Sequence, residues 1–502
     1  MVSRFRRNVV ANLVSTGCIA AVQLVVTPLL VWKLGTSAFA LVGFYTTLVA
    51  VLAILDLGLT PLLTRVMARH HLPSVDTPWR GATVLRTFEV LFAGIGLVVA
   101  VAIVSAAPFV GEHWLRSSVV PQAEIETAVR LMGLLFFLRW AQAPYVATLQ
   151  GLQQQVKLST ANAGMYTIVN ACAVLALWVA KPTIVVFFAS LAAGTLVQLL
   201  TIRWIAWRAD PALRERSRFD TAVIRAGWRF SAGMLGISIT ATILTQMDKL
   251  ILTKLVPLEE YGLYAMAQVL AGGLSVVILP IFNAVYPRLC ELVASGDEAR
   301  LRTSFLSASN LMGAILVPTV VFLVLFSYEV LVLWTRNPEV AAPTAPLLAL
   351  LATGTALNGL MFVPYALQLA RGNTRIGFTI NLVLCVVMVP SIVFLTYHFG
   401  IVGGASVWPA LNGLYLIAGL PLTWSLCLGS RNWVLFYRDM FVGQAPSVCL
   451  IAGARAWMPL SREGFGMAME LLVLLVLALA ISLTLTPGVR GRLGVWSWRS
   501  SL

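Results

Sequence analysis

Long apolar segments alternate with short polar ones along the whole chain. Fourteen segments are predominantly apolar, and at about 20 residues each they are long enough to cross the roughly 30 Å hydrocarbon core of a bilayer as α-helices. The pattern predicts an all-α integral membrane protein with about 14 transmembrane helices. The predicted spans are 9–32, 38–62, 87–110, 127–149, 159–180, 183–204, 230–254, 261–286, 304–333, 344–369, 376–398, 403–427, 440–459 and 466–487.

An arginine-rich segment at 203–229 is the longest polar run. It reads RWIAWRADPALRERSRFDTAVIRAGWR, with seven arginines in 27 residues. Arginines beside membrane spans mark the cytoplasmic face, so we interpret this segment as a cytoplasmic hinge. It predicts an N-lobe of six spans at 1–229 and a C-lobe of six spans at 230–429. Spans 13 and 14 and a cytoplasmic tail follow at 430–502.

Composition and charge agree with this topology. The chain is 59% hydrophobic and only 11% charged, with a mean hydropathy of +0.89. With both termini inside, 25 of the 35 Lys and Arg residues fall in cytoplasmic segments and six in outer loops, which is the expected positive-inside bias. The net charge of +15 therefore reports topology, and we expect no nucleic-acid partner.

Motifs for enzymatic chemistry are absent from the sequence. None of the five lysines follows a glycine, so there is no P-loop, and GxSxG and HExxH are also missing. The six cysteines form no CxxC pair. We expect no cofactor and no metal site. Transport would then use an ion gradient, the membrane potential or the gradient of the substrate.

Polar residues inside the predicted spans are candidate lumen groups. Span 1 carries Asn12 and Gln23, span 4 carries Gln142, and span 5 carries Asn170. Such residues either line a wet cavity or hold helices together by hydrogen bonds. Seven prolines also fall inside spans and predict bends, which are static kinks or aids to alternate opening: Pro28, Pro144, Pro280, Pro318, Pro364, Pro390 and Pro409.

Charges inside the spans are more informative, because each costs about 2.5–3.5 kcal/mol at mid-bilayer. Arg139 is near the middle of span 4, Lys249 and Asp248 are in the outer half of span 7, and Asp56 is in the inner half of span 2. With Arg130 also in a span, the balance is basic. A cationic lumen suits an anionic headgroup, since arginine binds phosphate through two parallel hydrogen bonds. The alternatives are a buried Arg139–carboxylate pair, a structural Asp248–Lys249 pair, snorkelling by Lys249 and a structural Asp56.

A faint internal repeat relates the two predicted lobes. Spans 1–2 contain WKLGTSAFALVGFYTTL and spans 7–8 contain TKLVPLEEYGLYAMAQVL. Lys33 and Lys254 are 221 positions apart, and Arg65 and Arg288 are 223 apart. Duplicated bundles are a recurring plan of transporters.

Two segments resemble a known family. Span 2 ends LAILDLGLTPLLTRVMAR, and span 7 reads LTQMDKLIL before EEYGLYAMAQVL. Both are similar to the polysaccharide and O-antigen flippases (Wzx-type) of the multidrug/oligosaccharidyl-lipid/polysaccharide (MOP) exporter superfamily. The resemblance covers roughly 1–429. It implies two pseudo-symmetric six-helix lobes around a cavity with alternating access, and an undecaprenyl-pyrophosphate-linked oligosaccharide as substrate. Fourteen-span members exist, the lipid II flippases among them.

The resulting hypothesis is a lipid-linked oligosaccharide flippase of the bacterial inner membrane. Arg139 and Lys249 would bind pyrophosphate or acidic sugars, and Arg65 and Arg288 would recruit the substrate. Asn12, Gln23, Gln142 and Asn170 would bond sugar hydroxyls. Asp56 or Asp248 would couple transport to H⁺ or Na⁺, and polymerases or glycosyltransferases would be partners. The rivals are a drug or cation antiporter of the same superfamily, a membrane glycosyltransferase or polymerase, and a scaffold that transports nothing.

Overall fold

The structure is a computed structural model, which describes residues 2–70, 79–215, 217–429, 433–457 and 464–486. The described residues are almost entirely helical and contain no strand. A backbone inside a bilayer must satisfy its own hydrogen bonds, and a helix does so within one segment. The predicted all-α membrane fold is confirmed.

Contacts divide the chain into two compact units. The first is Met1–Gly262 and the second is Leu263–Leu502. Helices of the first unit are α1 (Val2–Leu52), α2 (Leu59–His70), α3 (Gly81–Phe109), α4 (Gln122–Trp140), α5 (Ala143–Gly151), α6 (Gln155–Val179), α7 (Ile184–Trp207), α8 (Thr221–Leu255) and α9 (Leu258–Gly272), whose end enters the second unit. Short 3₁₀ turns lie at Ala53–Asp56 and Pro211–Arg214, and a π turn lies at Val110–Trp114.

The second unit continues with nine more helices. They are α10 (Ser275–Ala294), α11 (Glu298–Leu325), α12 (Ser327–Thr335), α13 (Pro338–Leu360), α14 (Phe362–Ala370), α15 (Thr374–Leu428), α16 (Trp433–Val442), α17 (Ala445–Trp457) and α18 (Phe465–Leu485). Polar side chains cap several helices in both units. Thr183, Asp220 and Asp297 accept backbone N–H groups at the starts of α7, α8 and α11.

The helices agree with the predicted number of spans. Nine helical stretches in the described part of the chain are long and apolar enough to cross a membrane. Two of them, Val10–Asp56 and Thr379–Leu428, each contain two helices that meet at a non-helical glycine. Gly35 has φ +79° and Gly400 has φ +61°, a backbone region that residues with a side chain rarely adopt. With the broken α4–α5, α8 and α16–α17 as the remaining crossings, the helices account for about fourteen spans.

The arginine-rich hinge is shorter than predicted. α7 continues to Trp207 and α8 begins at Thr221, so both ends of the predicted loop 203–229 are helical. Arg203 lies within α7, and its side chain forms an ion pair with Glu89 on α3 at 3.1 Å. The two compact units divide at Gly262, since α8 packs against α1 within the first unit. The predicted lobe boundary at 229 stays a prediction.

Two broken helices extend the internal repeat to a pair of spans that the sequence analysis did not include. α4 ends at Trp140 and α5 follows after two residues; α13 ends at Leu360 and α14 follows after one. Each second helix has nine residues and carries Pro-Tyr in its first turn, Pro144-Tyr145 and Pro364-Tyr365, which are 220 positions apart. Proline cannot donate a backbone hydrogen bond and clashes with the carbonyl four residues earlier, so each break has a local cause.

The last three helices pack on α11 within the second unit. Phe322 lies on α11 and Phe326 directly follows its last residue. Both belong to a buried apolar cluster with Ile451 of α17 and Met467 of α18. The hydroxyl of Ser482 donates to the carbonyl of Ala314 at 2.6 Å. Hydrogen bonds to a neighbouring backbone and close packing are what hold helices together in lipid. Spans 13 and 14 are therefore integral to the second unit.

Candidate functional site

Arg139 lies near the middle of predicted span 4, at the break between α4 and α5. Arg139 is 17 residues after the start of α4, or about 25 Å along its axis at 1.5 Å per residue. The backbone N–H of Gln142 donates to the carbonyl of Arg139 at 3.2 Å, which closes a tight turn ahead of Pro144. Arg139 is therefore in the last turn of α4, and two non-helical residues, 141 and 142, separate α4 from α5.

Arg139 lies among aromatic groups of the first unit. Its guanidinium carbon is 5.5 Å from the ring centroid of Tyr45 on α1, a cation–π contact. It also interacts electrostatically with the phenol of Tyr166 on α6. The Arg139 side chain is exposed, and no carboxylate in the described ranges forms an ion pair with it. The alternative of a buried ion pair therefore has no support among those residues.

Other arginines inside the predicted spans are neutralised by a carboxylate. Arg130, on the same helix as Arg139, pairs with Glu126 at 3.1 Å. Arg455 pairs with Glu329. The contrast with Arg139 is informative, because an arginine inside a membrane normally finds a partner or faces water.

Two polar groups beside Arg139 lack a protein partner. The Tyr45 hydroxyl and the Gln142 amide nitrogen are buried and make no hydrogen bond within the described structure. A buried donor without a partner costs about 1–3 kcal/mol. Gln142 is thus brought to the predicted site next to Arg139, and Tyr45 was not foreseen. The sequence could have indicated Tyr45 as a candidate, because it is a tyrosine inside an otherwise apolar predicted span.

The other predicted hydrogen-bonding residues are arranged differently. Asn170 is buried, and its amide donates to the carbonyl of Tyr166 in its own helix at 2.8 Å. Asn12 and Gln23 are exposed along α1. Tyr166 connects Asn170 to the surroundings of Arg139, whereas no contact of the described structure joins Asn12 or Gln23 to it.

Lys249 and Asp248 form a local pair. The Lys249 ammonium is 3.5 Å from a carboxylate oxygen of Asp248 and donates to the carbonyl of Thr245. Both side chains are largely buried, at 16% and 10% exposure. Asp248 also interacts with the buried Tyr261, whose hydroxyl is 3.3 Å from that of Thr47. This geometry favours the structural alternative for the pair, because the charge of Lys249 is offset within α8.

Asp56 caps a helix. The chain leaves α1 through Leu57 and Gly58, with φ of +48° and +74°. The carboxylate of Asp56 then accepts the Thr60 hydroxyl at 2.6 Å and the Thr60 amide at 3.1 Å, at the start of α2. This is the geometry of an N-terminal cap, so the D-x-G sequence has a structural explanation at this position.

Arg65 and Arg288, predicted at the inner mouth, belong to different units. Arg65 is exposed on α2. Arg288 is half exposed on α10 and pairs with Glu291 at 2.6 Å. Both guanidinium groups are accessible, as recruitment of an anionic lipid requires.

An ionic cluster around the buried Glu89 was missed by the sequence analysis, which left Glu89 out of the in-span charges. The carboxylate of Glu89 on α3 forms ion pairs with Arg86 at 2.6 Å and with Arg203 at 3.1 Å. It also accepts a hydrogen bond from the hydroxyl of Tyr145. The cluster ties α5 and α7 to α3. Its signal was a glutamate inside span 3 three residues after an arginine. Within the described ranges no group of three or more His, Cys, Asp or Glu side chains could hold a metal ion.

Comparison with known proteins identifies the family. Residues 5–293 match the family described as "Polysaccharide biosynthesis protein", and this match covers more than half of the 502 residues. The chain belongs to this family. It is 22% identical over 386 residues to the "Putative O-antigen transporter" of Shigella flexneri, covering 75% of this chain and 87% of that protein. It is 24% identical over 266 residues to the amylovoran biosynthesis protein AmsL of Erwinia amylovora, covering 52% and 62%.

Solved structures share the fold of this family member. An inward-facing multidrug resistance transporter of the MATE family, in the MOP superfamily, matches with a TM-score of 0.67 at 14% identity, over 80% of this chain and 93% of that one. The lipid II flippase MurJ, in an inward closed conformation, matches with a TM-score of 0.65 at 12% identity, over 94% and 97%. The chain therefore shares the fold of these transporters, and it is a multi-pass membrane protein.

Proposed function

We propose that this protein is a flippase for an undecaprenyl-pyrophosphate-linked oligosaccharide, such as an O-antigen, capsule or exopolysaccharide repeat unit. It would move the headgroup from the inner to the outer leaflet of the bacterial cytoplasmic membrane by alternating access, with both termini cytoplasmic. The proposal is supported by the family and by relatives whose names refer to O-antigen transport and amylovoran biosynthesis. Polar sugars and phosphates cannot cross hydrocarbon unaided, because they would lose water without replacement.

The observation that carries the proposal is that no carboxylate in the described ranges pairs with the guanidinium of Arg139. A cation in this position inside a predicted span has its charge available for an anionic ligand. The planar guanidinium can bind phosphate oxygens through two parallel hydrogen bonds while its face remains on Tyr45. The side-chain amide of Gln142 and the Tyr45 hydroxyl, which have no hydrogen-bond partner among the described residues, would bond the diphosphate or the first sugar.

Further residues have secondary roles in this proposal. Arg65 and Arg288 would attract the anionic lipid to the inner mouth, while Asn12, Gln23 and Asn170 would bond sugar hydroxyls. Lys249 would add long-range positive potential, reduced by its pairing with Asp248. Moving one charge across 100 mV is worth roughly 2.3 kcal/mol, so a dianionic headgroup gains about twice that on moving outward in an interior-negative cell. Coupling to H⁺ or Na⁺ through Asp56 or Asp248 would supplement this drive.

Complementation of a deletion strain tests the role of Arg139. We expect Arg139→Ala to abolish surface glycan and to leave lipid-linked repeat units trapped in the membrane, because the anion loses its main contact. Arg139→Lys, which keeps the charge but not the planar fork, should restore part of the glycan. The matched control is Arg130→Ala on the same helix, where the lost pair is peripheral, and it should behave as wild type.

Two outcomes would contradict the proposal. If Arg139→Ala restores wild-type glycan at wild-type protein levels, Arg139 does not bind the substrate. If the deletion itself leaves the glycan normal and instead raises sensitivity to cationic dyes, the rival drug antiporter is the better function. The stain for surface glycan and the extracted lipid intermediates separate these results.

A further inference from the structure

An aromatic cluster joins α10 and α14 in the second unit. The ring of Phe282 stacks on Tyr286 with centroids 5.8 Å apart and planes 1° apart. It also stacks on Tyr365 at 6.3 Å and 16°. Phe362 meets Phe282 edge-on at 5.6 Å and 88°. We name Phe282, Tyr286, Phe362 and Tyr365 the aromatic platform.

The burial of the platform sets it apart from the packing aromatics of the same unit. Its four side chains are all partly exposed. Aromatics that pack helices together there are 5% exposed or less: Phe305, Phe322, Phe326 and Trp424. Aromatics on the outer surface of α15 are far more exposed, with Phe394 at 61% and Tyr397 at 85%. The platform is thus partly accessible, neither sealed in the core nor fully exposed.

Polar groups border the platform. Asn283 is exposed and lies three residues before Tyr286, so the two share a helix face. The Tyr286 side chain, with its hydroxyl, is also partly exposed. Flat aromatic faces beside an amide and phenol hydroxyls combine apolar area with hydrogen-bonding capacity.

The fold does not require this arrangement. Tyr365 occupies the same place in the internal repeat as Tyr145, directly after the proline of a broken helix. In the first unit that tyrosine is buried and bonds to Glu89 in the ionic cluster. In the second unit the equivalent tyrosine instead lies on a stack of partly exposed rings. The same scaffold position therefore has a different chemistry in each unit.

We propose that the aromatic platform binds a sugar ring of the transported glycan, an inference that rests on the proposed flippase function. The C–H face of a pyranose carries partial positive charge and packs on the negative face of an aromatic ring. Its hydroxyls at the ring edge need donors and acceptors, which Asn283 and the tyrosine hydroxyls supply. Lipid tails would not use such polar groups, so the sugar is the occupant that matches the whole surface.

Binding of two lipids to the purified full-length protein in nanodiscs tests this proposal. The probes are the lipid-linked oligosaccharide extracted from the host and undecaprenyl pyrophosphate, which has no sugar. The test variant is Phe282→Leu, which removes the central ring but keeps an apolar side chain. Phe282→Tyr keeps the ring. Phe322→Leu is the matched control, since it removes a phenylalanine that packs against Phe326 away from the platform.

We expect the wild-type protein to bind the oligosaccharide lipid about tenfold more tightly than the sugar-free lipid. Phe282→Leu should lose that preference and bind both lipids equally, whereas Phe282→Tyr and Phe322→Leu should retain it. A wild-type protein without preference, or a Phe282→Leu variant with the full preference, overturns the platform proposal alone. Failure of the wild-type protein to bind either lipid contradicts the flippase function itself.

Discussion

Arg139 illustrates how surroundings, more than residue type, decide what a charged group can do. Arg130 lies nine positions earlier on the same helix and is satisfied by Glu126 one turn away. Arg139 has no acidic residue at a helical spacing and lies at a break, against the ring of Tyr45. The sequence could predict that Arg139 is inside a span. The sequence could not predict that tyrosines would lie beside Arg139, because these tyrosines come from α1 and α6, which are distant in sequence from α4.

Asp56 provides a second test with a single residue, because a capping role and an ion-coupling role require different properties of its carboxyl group. As a cap, Asp56 needs only an acceptor oxygen, which asparagine also supplies. We therefore expect Asp56→Asn to retain surface glycan and thermal stability. Asp56→Ala should lower the free energy of unfolding by about 1 kcal/mol, measured by thermal unfolding in detergent. Loss of glycan in a stable Asp56→Asn protein would instead indicate that the titratable carboxyl is required for coupling.

At the scale of elements, close approach between helices is set by small residues. Gly262 on α9 lies against the turn after Gly35, and a β-carbon at Gly262 would be 2.1 Å from the carbonyl oxygen of Thr36. Gly164 on α6 has no atom within 4 Å of the equivalent position. The sequence predicted both helices, but it carried no sign of which glycine is a contact.

Gly262→Ala should therefore destabilise the protein, since backbone must move to admit the methyl group. We expect a loss of about 1–3 kcal/mol, seen as a lower melting temperature and less folded protein in the membrane. Gly164→Ala is the control and should be neutral or slightly stabilising, because alanine favours helices over glycine by about 1 kcal/mol. Equal stability of the two variants would show that α9 does not approach the Thr36 turn this closely.

Broken helices mark the limit of sequence-based prediction for these elements. Pro144 and Pro364 were identified as bends from their positions inside spans. The exact breaks at 141–142 and 361, and the 220-residue repeat they disclose, follow from the helix ends in the structure. The two tyrosines that follow these prolines make different contacts. Tyr145 bonds to the carboxylate of Glu89, whereas Tyr365 stacks on Phe282.

For the whole molecule, hydrophobic pattern and arginine distribution were sufficient to predict a multi-pass membrane protein with about fourteen spans. Hydropathy decides these features, because each span must match the bilayer. The division between the units was not predictable in the same way. It depends on which helices α8 packs against, and apolar helices of similar composition give little indication of their neighbours.

Leaflet exchange in proteoliposomes tests the central claim most directly. Purified protein is reconstituted with the lipid-linked oligosaccharide from the host, an interior-negative potential is imposed, and an impermeant glycosidase reports how much glycan reaches the outer leaflet. We predict that wild-type vesicles and those with Arg130→Ala expose nearly all of the glycan, while Arg139→Ala vesicles resemble protein-free ones. Wild-type vesicles that expose glycan no faster than protein-free vesicles would contradict the flippase function.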